Sequence, residues 1–263
     1  MKKFAVVAVL LMLAVAVMPA MAAPNADDQF VYFPGLDLDT LNGGTGWASA
    51  WSKGFGGSMF ITNGGLVFPG LLTTGNAVNY NVPSGSGSAA YQRQLQVGYG
   101  GNNSVSFFQF LVRPESNFGQ WGSFMLNNVE VGLTSNPNKG LIIKDNNLGG
   151  SSQFANYSFN AGQTYLITGF ISVDNLGQGI MTAYLWANNL APAVSVSNNL
   201  AAAGNWGNVY TDVTLFTSGN YTYDQFLFKD RPNDPVPEAG TMVALGSFLS
   251  MGGLFLRRRF AKS

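Results

Sequence analysis

The chain has 263 residues, 46% of them apolar, 13% aromatic and only 10% charged, with 13 basic residues balancing 13 acidic ones. An ordinary globular domain is roughly 25% charged, so Asn, Ser, Thr, Gln and Gly must keep this surface wet, and no polybasic nucleic-acid surface is available. Histidine and cysteine are absent, which removes the commonest general base, the usual zinc ligands and any Ser-His-Asp or Cys-His nucleophile.

In chain order, the first element is a targeting segment. Lys2 and Lys3 precede an apolar run from Phe4 to Val17, then Pro19, with Ala20 and Ala22 on either side of Met21. This charged, apolar and small-x-small order is that of a secretory signal peptide over residues 1–22, cleaved after Ala22, with an uncleaved signal anchor as the alternative. Export permits disulfides, yet no cysteine exists to form one. Stability must therefore come from a large apolar core.

From residue 23 to 229 apolar side chains recur with a period of two, and Gly or Asn clusters interrupt every eight to twelve residues, the pattern of short strands rather than helices. Expected strands are Gln29–Phe33, Met59–Thr62, Leu66–Phe68, Ala77–Val82, Ala90–Leu95 and Ser104–Val112, the last ended by Arg113-Pro114. Trp121–Leu126, Val129–Leu133 and Leu141–Lys144 follow. Thr164–Val173 and Gly179–Trp186 form a hairpin around Asp174–Gln178, and Asp212–Thr217 and Tyr223–Phe228 complete the set. So many short strands without a dividing linker predict one all-β domain, a two-sheet antiparallel β-sandwich or jelly roll.

Leu41–Trp51 with its Gly-rich centre, Gly65–Gly70, the hairpin end Tyr184–Asn188 and Tyr223–Phe228 are similar in order and spacing to secreted bacterial proteins with a concanavalin A-like, laminin-G-like jelly roll. The resemblance spans most of Asp28 to Phe228. It implies a curved sandwich of roughly 12–14 strands, a fold that hosts lectins, polysaccharide lyases, glycosidases and adhesion modules alike.

After a linker at 230–236 the tail 237–263 changes character. Val236-Pro237-Glu238 leads through a short spacer into the apolar run Met242–Leu256, closed by Arg257, Arg258 and Arg259. A helix of about 15 residues spans about 23 Å, short of the ~30 Å hydrocarbon core but workable with snorkelling arginines. The arginines would stay cytoplasmic and leave the body outside. This order of V-P-E, apolar helix and Arg cluster resembles the PEP-CTERM sorting signal of Gram-negative bacteria. It implies recognition by exosortase, a membrane-embedded processing enzyme, with an inner-membrane intermediate and delivery to the cell surface or an extracellular polysaccharide matrix. Ala239 stands where the usual motif has a second proline. An ordinary C-terminal anchor without processing is the alternative.

Glycosidases on such a fold need two carboxylates on one strand face, whereas the only glutamates of the body are Glu115 and Glu130. Glu130, alone between two valines, reads as a polar residue facing solvent from a half-buried strand. For a metal, Asp37 and Asp39 would project to one side of an extended segment and could offer calcium two hard ligands, with Asn42 or carbonyls completing the shell. Asp27-Asp28 and Asp174-Asn175 are weaker versions, and turn residues bonding their own backbone are the alternative. Trp47, Trp51, Trp121 and Trp206 are candidates for stacking on a pyranose face, or else core residues.

Between residues 23 and 234 seven basic residues face twelve acidic ones, a mild acidity that suits solubility and opposes attraction to anionic lipid or nucleic acid. The expectation is an exported, non-enzymatic surface or matrix protein, structural or carbohydrate-contacting. A carbohydrate-active enzyme with an atypical carboxylate pair is the rival.

Overall fold

The computed structural model describes residues 26–71, 73–81, 87–116, 121–135, 140–188, 191–201 and 209–230. The expected signal segment 1–22, Trp206 and the whole tail from 231 onward lie outside the described residues. Among the described residues there are fifteen strands, and no helix is long and apolar enough to cross a membrane.

In chain order the strands are β1 (Ala26–Asp28), β2 (Ser52–Gly56), β3 (Phe60–Ile61), β4 (Val78–Tyr80), β5 (Ser88–Gly100), β6 (Ser104–Pro114), β7 (Trp121–Leu126) and β8 (Val129–Thr134). They continue as β9 (Gly140–Asp145), β10 (Ser152–Asn156), β11 (Tyr165–Val173), β12 (Gly179–Trp186), β13 (Val194–Asn199), β14 (Val209–Ser218) and β15 (Tyr221–Asp230). An eight-stranded sheet has the order β13-β12-β11-β6-β15-β4-β3, with β1 also paired to β15, and a seven-stranded sheet has the order β10-β9-β8-β7-β14-β5-β2. All pairings are antiparallel. The molecule is thus the expected two-sheet antiparallel sandwich of jelly-roll type.

The alternation of each strand decides which side chains fill the space between the sheets. Phe108, Phe110 and Val112 of β6 and Ile167 and Ile171 of β11 meet Phe124, Val131, Ile143 and Leu215 from the opposite sheet, all fully buried. Phe124 is the hub, with ring centroids 4.7 Å from Phe226, 5.9 Å from Phe110 and 6.1 Å from Phe108. Such offset, tilted pairs are favourable beyond the area they bury. Gly122 lies against this layer because a side chain would not fit: a Cβ there would sit 2.4 Å from Cδ1 of Tyr221.

β15 carries a bulge between Asp224 and Leu227, with Gln225 at φ 49°. The bulge lets one strand serve two partners on the same edge, β4 along Tyr221–Tyr223 and β1 along Phe226–Phe228. Two expected strands are not strands. Gln29–Phe33 and Leu66–Phe68 are irregular segments, although Phe30, Leu66 and Phe68 are buried. The second lies as a strap across the outer face of the eight-stranded sheet, where Leu66 and Phe68 pack with Ala77 on Leu111 and Leu166 in a small satellite core. β6 also runs two residues past its expected end, through Pro114.

Candidate functional site

The registers place six outward side chains in one row across the seven-stranded sheet: Lys144, Glu130, Met125, Thr214, Gln92 and Ser52. The next row holds Ile142, Gly132, Ser123, Phe216, Ala90 and Phe55. The small residues between bulky ones form a trough of about 400 Å³, walled by Phe55, Phe216 and Met125 and bounded by Gln92, Thr214 and Glu130. That volume lies within the ~300–1,000 Å³ of small-molecule sites. Phe55 is 54% exposed and rests on Phe216, with ring centroids 6.2 Å apart.

Glu130 departs from its sequence reading. It is 5% exposed, not solvent-facing, and its Oε2 has no hydrogen-bond partner. The nearest cation is Lys144, with Nζ 3.9 Å from Oε2. Burial pushes the Glu130 carboxyl above its ordinary range, against the pull of Lys144 and a hydrogen bond from Asn146. The hydroxyl of Ser123 in the neighbouring row is likewise buried without a partner. Lys144 also lies 5.2 Å over the ring of the half-buried Trp121, so Trp121 extends the trough.

The other tryptophans are placed differently. Trp51 is 1% exposed, donates its Nε1–H to Asp28 Oδ2 at 2.8 Å and stacks on Phe30. It is a core residue, with no ring face for a sugar. Trp47 donates Nε1–H to the Asp27 carbonyl at 3.0 Å, and its ring carries the Arg93 guanidinium at 4.6 Å. Asp28 and Arg93 form the centre of that cluster, Nη1 to Oδ2 at 2.6 Å with both side chains 1% exposed. Phe30 N–H and the Tyr32 hydroxyl also donate to Asp28, while Arg93 donates to the Ser49 carbonyl and to Asn42 Oδ1. Every strong group of this knot is satisfied, which makes it a fastening rather than a site.

Asp37 and Asp39 are turn carboxylates. Asp37 Oδ1 accepts from the Tyr91 hydroxyl at 2.6 Å and from Asp39 N–H at 3.2 Å, and Asp39 Oδ1 accepts from Lys53 N–H at 3.0 Å. Burial pushes Asp37 up, but hydrogen bonds from Ser58, Tyr91 and Asp39 outweigh it and hold the carboxyl below its ordinary value. Asp174 caps its hairpin through Leu176 and Gln178 N–H. Glu115 pairs with Arg113 at 2.7 Å and accepts from the Thr222 hydroxyl. Among the described residues no three acidic side chains converge as a metal-binding group. The sorting residues Val236, Pro237, Glu238, Arg257, Arg258 and Arg259 and the cleavage residues Ala20 and Ala22 lie outside the described residues.

Sequence reasoning missed Phe55, Phe216 and Met125. The alternation Glu130-x-Gly132-x-Thr134 was the available signal, since it places the glutamate and a gap on one face. β2, which contributes Phe55, has no apolar alternation to find it by.

No family model matches the chain, and no curated protein matches it. Among solved structures it is similar to an endo-β-1,4-glucuronan lyase from the fungus Trichoderma reesei, at 13% identity and a TM-score of 0.44 over 75% of this chain and 94% of that one. An alginate lyase from Aplysia kurodai matches at 10% identity and TM-score 0.43, over 59% of this chain and 83% of that one. A lectin from Bauhinia forficata, solved with GalNAc, matches at 10% identity and TM-score 0.32, over 64% and 92%. At these scores the sandwich assignment rests on the strand topology itself.

Proposed function

We propose that the chain is an exported, non-enzymatic β-sandwich protein of the cell surface or extracellular matrix of a Gram-negative bacterium, and that it contacts carbohydrate through the trough of its seven-stranded sheet. The observation that carries this reading is the pairing of rings with uncharged polar groups: the exposed Phe55 and the half-buried Phe216 beside Gln92 and Thr214, with the half-buried Trp121 at the far end. Rings stack on the apolar faces of pyranoses while amides and hydroxyls bond their hydroxyls. Delivery to that location follows the expected route: cleavage after Ala22, passage through an inner-membrane intermediate held by the span near 242–256, and processing by an exosortase-like enzyme. No nucleic acid is a partner.

Hydrolysis is not part of the reading, because among the described residues Glu130 is the single carboxylate lining the trough and a glycosidase needs two. Affinity electrophoresis of the full chain through gels containing hydroxyethyl cellulose, dextran or alginate tests the binding. Retardation by at least one polymer is expected, reduced about tenfold or more in apparent affinity by Trp121→Ala together with Phe55→Ala. Retardation by none would sink the carbohydrate reading, and release of reducing ends or unsaturated products above a boiled control would sink the non-enzymatic one. An unchanged C-terminus, by mass spectrometry, after deletion of the processing enzyme would sink the sorting route.

A further inference from the structure

The outer face of the eight-stranded sheet has its own row structure. Lys229, Phe107, Phe170, Thr182 and Ser197 lie in one row across five strands. Leu227, Gln109, Thr168, Tyr184 and Ser195 form the next. The third, Asp224, Leu111, Leu166 and Trp186, is the row covered by the strap. The strap therefore stops where the aromatic rows begin, and Phe107, Phe170 and Tyr184 remain partly exposed.

These two open rows alternate rings with hydroxyls and an amide. Phe107 and Phe170 have ring centroids 6.1 Å apart, next to Thr168, Thr182, Ser195 and Ser197. Trp186 borders them, its ring oriented by a hydrogen bond from Nε1–H to Thr168 Oγ1 at 2.9 Å. Across strands the rows advance by about 4.8 Å, and along each strand by about 6.6 Å, so the rings tile a plane rather than line a pocket. On the far side of Leu227 the second row continues onto β1 with Asp27, and the Lys229 charge acts on that carboxylate, so among the described residues the charges of the two rows are one opposed pair at a single margin. A polyanion would meet no uncompensated positive charge there, and the strands β6, β11 and β12 contribute only rings, hydroxyls and an amide to these two rows.

We propose that this plane is a second carbohydrate-binding face, taking an extended, uncharged polysaccharide chain laid across β6, β11 and β12. Two faces on opposite sheets make the protein bivalent, so that one molecule holds two polymer chains. The inference rests on carbohydrate binding at the trough for the bivalency alone; the plane itself is argued independently of it.

The test uses the full chain with hydroxyethyl cellulose as the neutral probe and alginate as the anionic one. In affinity electrophoresis on the neutral polymer, the trough double variant is expected to keep measurable retardation. Phe170→Thr with Tyr184→Ala should weaken the wild type at least fivefold, and the combination should lose retardation altogether. Ser195→Arg, on the exposed edge and away from the core, should give the same direction of loss without a change in melting temperature, so that a folding failure of the ring variants does not decide the matter. Wild type is expected to raise the viscosity of the neutral polymer, and either single-face variant is not. If the trough variant alone abolishes all retardation and the platform variants change nothing, the second face is wrong while the trough reading stands. If no variant or wild type is retarded at all, both fall. If the platform variants instead turn a dimer into a monomer with retardation unchanged, the face is a self-association surface and the inference is overturned.

Discussion

Asp28 and Asp224 are both fully buried carboxylates, and each ties a long loop to the eight-stranded sheet, but only Asp28 is given a cation. Asp28 receives Arg93, the indole of Trp51, the hydroxyl of Tyr32 and the amide of Phe30. Asp224 receives two backbone amides, Leu66 N–H and Gln225 N–H, each at 2.7 Å, and no ion pair reaches it among the described residues. Burial raises Asp224 to about 7, the two amides pull it back, and the distant Asp28 charge adds to the rise. In the first fastening a cation and three further donors offset, without cancelling, the rise that burial imposes on the carboxyl. The second is neutral or charged according to pH.

Removing the cation should have the largest effect. Arg93→Met leaves the Asp28 carboxylate buried without its counter-ion and strips a donor from Ser49 and from Asn42, at a cost of about 3–5 kcal/mol. Urea denaturation measures it. Because much of that loss is the stranded charge, Asp28→Asn combined with Arg93→Met should cost less than the sum of the single changes. A loss under about 1 kcal/mol, or strict additivity, would show that the knot is not what holds the 28–51 loop.

The strap fastening should instead respond to pH. Since the folded-state value of Asp224, about 7, lies above the ordinary carboxylate value near ~4, the folded chain keeps a proton that the unfolded chain releases between those values. The stabilisation is therefore complete below about pH 4 and lost as pH rises toward 7, by roughly 4 kcal/mol at most. Burial also raises Asp27, Asp28 and Glu130, so they act in the same direction. Stability measured from pH 4 to pH 8 is expected to fall, and Asp224→Asn to flatten most of the slope. An Asp224→Asn variant that keeps the full slope would assign the titration elsewhere.

These two carboxylates also explain where the sequence misleads. The strands with a buried inner face were legible from alternation alone: Trp121–Leu126 has the expected bounds, and Gly179–Trp186 pairs with its hairpin partner as anticipated. The two segments wrongly expected to be strands are the two that Asp28 and Asp224 serve. Phe30 and Leu66 sit in alternately buried chain, but Phe30 has a positive φ of 49°, and both amides donate to a carboxylate instead of a neighbouring strand. Periodicity reports which side chains are buried and cannot report where a backbone amide is bonded. Four strands were missed: β1, a three-residue strand paired with β15, and β2, β10 and β13, which each end a sheet. Ser52–Gly56 and Ser152–Asn156 have both faces largely in water and so little apolar alternation, whereas Val194–Asn199 buries one face but carries only two apolar residues on it. The candidate site suffered for that reason, since its exposed ring Phe55 comes from β2, while Glu130 was found as a residue but not as a buried one.

A smaller effect separates strap geometry from strap charge. Gly65 lies beside the Asp224 carboxylate, and a Cβ there would stand 2.6 Å from Oδ2 and 3.3 Å from the Gly75 carbonyl. Gly65→Ala must therefore push the carboxylate off the Leu66 amide or lift the strap, for about 1–3 kcal/mol. The loss should be present at pH 4 as well as pH 8, unlike that of ionising Asp224. A loss confined to high pH would mean that the alanine acts through the charge.

The smallest expected effect is none at all. Asp37 and Asp39 occupy the loop that Asp28 and Arg93 fasten, and their carboxylates are spent on the chain's own donors, Tyr91 and the amides of Asp39 and Lys53. A calcium ion would need six to eight oxygens and would have to displace those hydrogen bonds to recruit two. Added calcium, followed by a chelator, is therefore expected to leave the melting temperature unchanged. A rise of several degrees that Asp37→Asn abolishes would overturn this. It would also mean that the loop has two independent fastenings, in which case Arg93→Met should cost measurably less in calcium than without it.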